Sequence, residues 1–200
     1  MAAENILRPW PIFSQVRNNG QHDDVHGFSG LGPFFLKLGI TANMMTFMAL
    51  LFGLAAVYLL FENNLLFILF ALLHLLADGI DGIIARTATP TVFGSYFDHI
   101  ADQSITVLVI VKIGWFLQDY FAYVAAFLFL FTQAIHFISK RKTPVLFTRT
   151  LTLLMLLFYV PSVVPITTSL PTLAYLITGV VSVYSLARQL QYYAQFILRK

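Results

Sequence analysis

The chain has 200 residues, of which 58% are hydrophobic and only 10% are charged, and its mean hydropathy is +0.79. A soluble domain carries about 25% charged residues, so this composition excludes a water-soluble fold and predicts a protein that lies in a bilayer. The net charge of +3 does not indicate a nucleic-acid partner, because the basic residues stand at the ends of apolar segments and form no broad face.

The N-terminal arm, residues 1–42, is predicted to be a cytoplasmic extension of the membrane domain. Acidic and basic residues interrupt its first 27 positions, so no apolar core long enough for a secretory signal peptide is present there. Residues 28–38 (FSGLGPFFLKL) are too short to span a membrane. We expect them to form a short interfacial helix along the membrane surface.

Six apolar segments follow in residues 43–200, each near the ~20 residues that a helix needs to cross the hydrocarbon core. Short polar or proline-containing connections separate them, and no internal repeat is visible. The predicted fold class is therefore an all-α integral membrane protein with six transmembrane helices and a short N-terminal interfacial helix. The predicted spans are 43–62, 65–86, 93–116, 120–139, 145–163 and 171–190.

The positions of lysine and arginine predict the orientation of these spans. Basic residues occur in the arm, after the second span, between the fourth and fifth spans and in the C-terminal tail, but the first, third and fifth connections have none. Because cytoplasmic loops carry the excess of basic residues, both termini are expected in the cytoplasm of a multi-pass cell-membrane protein. The residues behind this prediction are Arg8, Arg17, Lys37, Arg86, Lys140, Arg141, Lys142, Arg188, Arg199 and Lys200.

Four aspartates fall between positions 78 and 102, inside apolar segments. A carboxylate at the centre of a membrane helix costs on the order of 2.5–3.5 kcal/mol, so something must compensate for them. Asp78 and Asp81 are three residues apart and Asp98 and Asp102 are four apart, so each pair shares one face of its helix. A tight connection joins the two helices, and we expect them to pack as antiparallel neighbours with the carboxylates converging at similar depth.

Converging carboxylates repel one another unless cations are bound between them. The chain has no cysteine, which excludes thiolate ligands and nucleophiles, and oxygen ligands alone suit Mg²⁺, Mn²⁺ or Ca²⁺. Mg²⁺ commonly completes its shell with phosphate oxygens, so a cytoplasm-facing site of this kind indicates a phosphorylated substrate. The carboxylates alone also allow a cation transporter or a metal that only holds helices together.

The residues around the aspartates form a longer motif. From Asp78 the sequence reads D-GI-D-G-II-A-R, then seven residues, then G-SYF-D-HIA-D. This resembles the signature of the CDP-alcohol phosphotransferases (class I CDP-alcohol phosphatidyltransferases), D-x2-D-G-x2-A-R, a spacer and G-x3-D-x3-D, although the family's spacer is usually longer. Residues 41–46 (TANMMT) are similar to the family's T-P-N-x-x-T, with Ala42 in place of proline. The resemblance covers the whole chain, because six helices after a short interfacial segment is also the family architecture.

The resemblance implies transfer of a substituted phosphate group from a CDP-linked lipid, such as CDP-diacylglycerol, to a small alcohol, with release of CMP, in phospholipid biosynthesis. Two divalent ions, Mg²⁺ or Mn²⁺, would be held by Asp78, Asp81, Asp98 and Asp102. Asp102 would also act as the general base on the acceptor hydroxyl. A homodimer is expected from the family. The residues implied to contact the nucleotide are Asn43, Thr46, Asp81, Gly82, Ala85, Arg86 and Gly94.

Two features of this nucleotide site have a simple physical interpretation. Gly82 and Gly94 lack a β-carbon where a nucleotide would approach the helix backbone. Arg86 has a planar guanidinium that can pair with a diphosphate. Each feature also has a plainer explanation, since glycine permits tight packing of membrane helices and Arg86 is also a topology-determining charge.

The acceptor is less well defined by the sequence. Lys140, Lys142 and Arg149 cluster at the predicted cytoplasmic ends of the fourth and fifth spans. Two explanations account for this cluster equally well: the excess of basic residues in cytoplasmic loops, and binding of an acceptor phosphate. Residues 140–143 (KRKT) resemble the K-x-K-T stretch of phosphatidylglycerophosphate synthases, which favours glycerol 3-phosphate.

Other residues favour a different acceptor. Phe97, Asp98 and His99 resemble the F-D-H of choline and ethanolamine phosphotransferases, and Gln103 stands where phosphatidylglycerophosphate synthases usually have lysine or arginine. We expect a phosphorylated polyol, glycerol 3-phosphate or inositol phosphate, as the acceptor. An amino alcohol of the serine, choline or ethanolamine type is the alternative.

Overall fold

The computed structural model describes residues 31–87, 91–139, 143–146, 149–159 and 169–198. No strand occurs in these ranges, which agrees with the predicted all-α fold. The predictions for residues 1–30 and for Lys140, Arg141 and Lys142 lie outside the described residues. The helices in the described ranges are α1 (Leu31–Lys37), α2 (Ala42–Leu59), α3 (Asn64–Thr87), α4 (Val92–Leu117), α5 (Tyr120–Ile138), α6 (Arg149–Leu157) and α7 (Leu170–Leu198).

Five of the helices, α2 to α5 and α7, are long and apolar enough to cross a membrane, with mean hydropathies of 1.6 to 2.0. They correspond to the first four predicted spans and the sixth. Within the fifth predicted span, 145–163, the structure describes the nine-residue α6, and residues 147–148 and 160–163 are outside the description, so a sixth crossing stays a prediction. Helix α7 continues past the predicted end at 190. The prediction stopped there because Arg188 and Gln191 lower the hydropathy, but neither residue breaks a helix.

Threonine caps begin the two helices that frame the candidate site. Thr41 Oγ1 accepts a hydrogen bond from the backbone N–H of Met44 at 3.3 Å at the start of α2. Thr91 Oγ1 accepts one from the N–H of Gly94 at 3.0 Å at the start of α4. These bonds satisfy donors that the first turn of a helix leaves unpaired. They fix where α2 and α4 start, and hence the depth of the polar residues in their first turns.

Helix α2 packs against both α3 and α4, and α3 and α4 do not pack against each other. No Cα atom of α3 lies within 8 Å of a Cα atom of α4 within the described ranges, so the expectation that these consecutive helices pack directly is wrong. Consecutive elements are neighbours in only about two-thirds of cases. Here small buried residues of α2, Ala49, Gly53 and Ala56, let its backbone approach both partners, and a gap separates the polar ends of α3 and α4.

Polar contacts join the helices at the end of the bundle opposite the aspartates. Lys112 Nζ on α4 donates to the carbonyl oxygen of Tyr58 at 3.2 Å and forms an ion pair with Glu62 at 3.3 Å. Tyr175 Oη on α7 donates to the carboxylate of Asp119, which caps α5. The sequence pattern does not indicate these contacts, because each joins single polar groups that lie far apart in the chain.

Replacement of Gly53 tests the packing of α2. A β-carbon at Gly53 would lie 2.7 Å from Ile105 Cδ1 and 3.1 Å from His74 Nδ1. Both side chains are buried, and His74 Nδ1 donates to the carbonyl oxygen of Ala49 at 2.8 Å, so neither can withdraw easily. We expect Gly53→Ala to lower the free energy of unfolding by about 1–3 kcal/mol, measured as a lower Tm of the purified protein in detergent.

Gly79→Ala is the matched control, because no heavy atom lies within 4 Å of a β-carbon at Gly79. Its Tm should be unchanged or slightly higher, since alanine favours the helix. Equal melting temperatures for the two variants would contradict the close packing of α2 against α3 and α4.

Candidate active site

Three of the four predicted aspartates come together across the gap between α3 and α4. Asp78 on α3 and Asp98 and Asp102 on α4 each place a carboxylate oxygen within 4.8 Å of the others, and all three side chains are partly buried. The spacing of four residues puts Asp98 and Asp102 on one face of α4, directed at Asp78. The carboxylates therefore meet although the helix backbones do not.

The donor set of this cluster fits a divalent ion such as Mg²⁺ or Mn²⁺, whose ligands in proteins are hard oxygen atoms. Two oxygens bound to one Mg²⁺ at ~2.1 Å lie at most about 4.2 Å apart. Small rotations of the three side chains are thus enough to close them onto an ion. A bound cation would also offset the mutual repulsion of the carboxylates, which is strong in a partly buried site.

The fourth aspartate, Asp81, is held differently. It is only 6% exposed, and Thr46 Oγ1 on α2 donates a hydrogen bond to its Oδ2. Asp81 is one turn nearer the end of α3 than Asp78 and is not part of the three-carboxylate group. Its predicted role as a metal ligand stays a prediction, and the structure adds a contact that sequence analysis did not predict.

A cavity of about 420 Å³ opens next to the carboxylates, between the start of α2, the end of α3 and the start of α4. This volume lies in the usual range for a small-molecule site. Five residues that were predicted to contact a nucleotide line it: Asn43, Thr46, Asp81, Ala85 and Gly94. Asp98 lines it as well, so the cavity is continuous with the carboxylate cluster. Five further residues line the cavity that were not predicted as site residues: Leu36, Thr41, Ala42, Thr91 and Ser95.

Gly94 leaves room for a side chain of the protein itself. A β-carbon at this position would collide with Oδ1 of Asn43 and with Oγ1 of Thr91. The space beside the α-carbon of Gly94 is therefore used by the amide of Asn43, and the contact of Gly94 with a nucleotide stays a prediction. Through this contact Gly94 positions Asn43 in the cavity wall.

Gly82 and Arg86 lie one turn apart on α3, outside the residues that line the cavity. The two terminal guanidinium nitrogens of Arg86 are 4.0 Å from a β-carbon at Gly82 and are the closest atoms to it. Arg86 is exposed. Its guanidinium therefore extends back along the face of α3 toward the aspartates.

The structure does not describe the predicted acceptor-binding residues at the level of side chains. Lys140 and Lys142 lie outside the described residues, and Arg149 begins α6 but its side chain is not described. Among the missed cavity residues, Thr41 and Thr91 could have been found from the sequence, because threonine directly before an apolar helix is a typical N-cap. Nothing in the pattern distinguishes Ser95 from other first-turn residues.

Comparison with known proteins agrees with this geometry. The model of the CDP-alcohol phosphatidyltransferase family matches residues 39–197, a range that includes the four aspartates and nearly the whole cavity lining. An uncharacterized protein of Aquifex aeolicus (strain VF5) is 37% identical over 83 residues, which are 40% of this chain and 42% of that relative. The chain thus matches less than half the length of this curated relative. No solved structure was found to match the chain.

Replacement of Asp98 tests the metal site without an activity assay. A ligand that binds only the folded protein raises its Tm, so we expect Mn²⁺ to stabilise the wild-type protein against heat. Asp98→Asn should weaken apparent Mn²⁺ affinity by roughly tenfold or more, since a charged oxygen ligand is lost. In EDTA its Tm should be unchanged or higher, because one repelling charge has been removed.

The matched control is Glu62→Gln, which removes an exposed carboxylate at the opposite end of the bundle. Its stabilisation by Mn²⁺ should equal that of the wild type. A full thermal shift with Mn²⁺ in Asp98→Asn would exclude Asp98 as a ligand.

Proposed function

The chain belongs to the CDP-alcohol phosphatidyltransferase family, and we propose that it transfers a phosphatidyl-type group from a CDP-linked lipid, such as CDP-diacylglycerol, to the hydroxyl of a small polar alcohol. CMP is the second product. The single observation that carries this proposal is the group of Asp78, Asp98 and Asp102 beside a cavity. Five of the residues that line this cavity were predicted to contact the nucleotide. The family membership favours this function over a cation transporter.

The three carboxylates would hold divalent metal at the diphosphate of the donor. Bound Mg²⁺ or Mn²⁺ would supply positive charge to the diphosphate oxygens and would acidify the acceptor hydroxyl. We propose two ions, with Asp81 completing the ligand set of the pair. The protein's own contribution is to hold the four carboxylates at fixed positions on two helices whose separation α2 maintains.

Asp102 is the proposed general base. It would take the proton of the acceptor hydroxyl, the resulting oxygen would form a bond to the phosphorus that carries the lipid, and the bond from that phosphorus to CMP would break. A carboxylate beside a divalent ion is a weak base, so this step requires that the hydroxyl is acidified in the site. Asp102 suits the role because it lies deepest along α4 and, unlike Asp98, does not line the nucleotide cavity.

The cavity walls are proposed to bind the cytidine diphosphate part of the donor. Asn43, whose amide packs against Gly94, and Thr46 offer hydrogen-bonding groups from α2. The guanidinium of Arg86 lies beside Gly82, on the face of α3 that also carries Asp78 and Asp81. It can pair there with diphosphate oxygens.

The acceptor, the orientation and the assembly state are further parts of the proposal. We propose a phosphorylated polyol as the acceptor, with its phosphate bound by the basic cluster Lys140, Lys142 and Arg149. The excess of lysine and arginine on the same side as the aspartates supports an active site that faces the cytoplasm. A homodimer is proposed from family membership alone.

Asp102→Asn tests the proposed function. The substitution removes the base, and we expect the rate of CMP release from CDP-diacylglycerol to fall by roughly 10²–10⁴-fold. The assay uses purified protein with Mg²⁺ and a panel of acceptors: glycerol 3-phosphate, inositol phosphate, inositol, serine, choline and ethanolamine. Thermal unfolding of the variant should show a Tm near the wild-type value. Normal turnover by Asp102→Asn would exclude it as the base.

Thr46 tests the contact between α2 and Asp81. Thr46→Val keeps the shape of the side chain but removes the donor to Asp81, leaving a buried carboxylate with one hydrogen bond fewer. We expect the KM for the CDP-lipid to rise by roughly threefold to tenfold, the effect of losing one hydrogen bond to a charged group. Thr46→Ser keeps the hydroxyl and should restore most of the wild-type KM. Equal KM values for the two variants would show that the hydroxyl has no part in donor binding.

A further inference from the structure

A buried glutamine lies on each of α4, α5 and α7, and the one on α4 directly follows Asp102 in the chain. Gln103, Gln133 and Gln189 are 8%, 4% and 1% exposed, respectively, and we refer to them as the glutamine layer. Glutamine is mostly exposed in proteins because burying its amide without hydrogen bonds is costly. Three such side chains in one layer of a membrane protein therefore need an explanation.

The glutamine layer is only partly satisfied by the protein. Gln189 Nε2 donates to the carbonyl oxygen of Thr132 at 3.0 Å and so joins α7 to α5. Neither amide atom of Gln133 has a hydrogen-bond partner within the described residues, and the same holds for the amide oxygens of Gln103 and Gln189. Each buried, unsatisfied polar group costs on the order of 1–3 kcal/mol. With four such atoms, the layer does not destabilise the protein only if polar atoms from outside these helices form hydrogen bonds with them.

The register of the helices places the glutamine layer at the depth of the reaction. The rings of His99 on α4 and His136 on α5 are in contact, with centroids 5.8 Å apart. One turn further from the cytoplasm, the antiparallel helices bring Gln103 and Gln133 to the same level. Gln103 follows Asp102 directly, which is about 1.5 Å along the helix axis. The two side chains leave α4 about 100° apart, so a polyol with one hydroxyl at Asp102 reaches the glutamine layer around the side of α4 that faces α5.

One side of the glutamine layer is apolar and another is polar. Toward the membrane centre it borders buried apolar residues such as Ile105 and Phe129. Residues 143–146 are held against α5 and α7 by two hydrogen bonds. His136 Nδ1 donates to the carbonyl oxygen of Thr143 at 2.7 Å, and the N–H of Leu146 donates to Ser185 Oγ at 3.3 Å. These bonds place polar groups beside His136 and Ser185, each one helical turn from a glutamine of the layer.

We infer that Gln103 and Gln133 bind the non-reacting hydroxyls of the acceptor, and that the acceptor is a polyol. The inference rests on the proposed function and specifies its acceptor. A hydroxyl both donates and accepts, so it can satisfy the oxygen of Gln103 and also the NH₂ group of Gln133. The ammonium of ethanolamine or serine can donate to the amide oxygens but cannot accept from that NH₂ group, and the quaternary ammonium of choline can do neither. A hydroxyl satisfies both kinds of amide atom, so the layer favours a polyol and selects most strongly against choline.

The opposing explanation is structural. Glutamines also join membrane helices by hydrogen bonds across the interface, and Gln189 does so through Thr132. A purely structural role predicts that loss of the Gln133 amide changes the Tm but leaves acceptor preference as it was. The experiment must therefore measure preference between two acceptors that differ by one hydroxyl.

The experiment measures CMP release from CDP-diacylglycerol by the purified full chain with Mg²⁺. Each polyol is compared with the analogue that lacks one non-reacting hydroxyl: glycerol 3-phosphate with 3-hydroxypropyl phosphate, and inositol phosphate with a deoxyinositol phosphate. The wild type should prefer the complete polyol by at least about tenfold in kcat/KM, because the analogue leaves buried amide atoms unpaired. Gln133→Leu should reduce this preference to about twofold or less while leaving the KM for CDP-diacylglycerol unchanged.

The control variant is Gln191→Leu, which removes an exposed glutamine of α7 that accepts a hydrogen bond from Arg188. It should keep the full preference. An unchanged preference in Gln133→Leu would overturn the inference. So would a wild type that does not distinguish the two acceptors, a comparison that needs no variant to fold. CMP release with choline or ethanolamine but with no polyol would overturn the inference and leave the transferase intact. No CMP release with any acceptor would overturn the proposed function and the inference with it.

Discussion

The separation of α3 from α4 is the constraint on which the site depends. If these helices packed directly, their acidic faces would bury four carboxylates against one another, which electrostatic repulsion opposes strongly in a membrane interior. Helix α2 prevents this by packing against both through Ala49, Gly53 and Ala56. The resulting gap is narrow enough for three carboxylates to meet and wide enough for a cavity of about 420 Å³ beside them.

Two adjacent stripes of side chains on helix α4 face different surroundings. Asp98 and Asp102 lie on one stripe and face the gap and α3, while His99 and Gln103 lie on the next and face α5. Successive residues of a helix are rotated by about 100°, so a single step along the chain moves from anionic to neutral polar surroundings. In the proposed acceptor complex, the reacting hydroxyl lies beside Asp102 and the non-reacting hydroxyls meet the amides of the adjacent stripe.

The sequence predicted the parts of this arrangement that depend on composition and period. Hydropathy identified the long helices, and the spacing of Asp78, Asp98 and Asp102 predicted that they share a site, because period and charge are local properties. The partners of these residues could not be predicted in the same way. The hydrogen bond from Thr46 to Asp81 and the packing of Asn43 on Gly94 depend on how α2 is placed relative to α3 and α4. The direct packing of α3 on α4 was expected because consecutive elements are usually neighbours. Instead, α2 packs against both helices and their backbones stay apart.

The bond between Tyr175 and Asp119 has a mechanical consequence for access to the interior. It ties α7 to the start of α5 at the end of the bundle remote from the carboxylates. Gln133 lies 14 residues along α5 from Asp119, a lever arm of about 21 Å. A tilt of about 5° around that fixed end would move the C-terminal half of α5 by roughly 2 Å at Gln133 and hardly move the opposite end. A motion of this kind would widen the bundle at the end near the carboxylates and leave the end tied by Tyr175 and Asp119 closed.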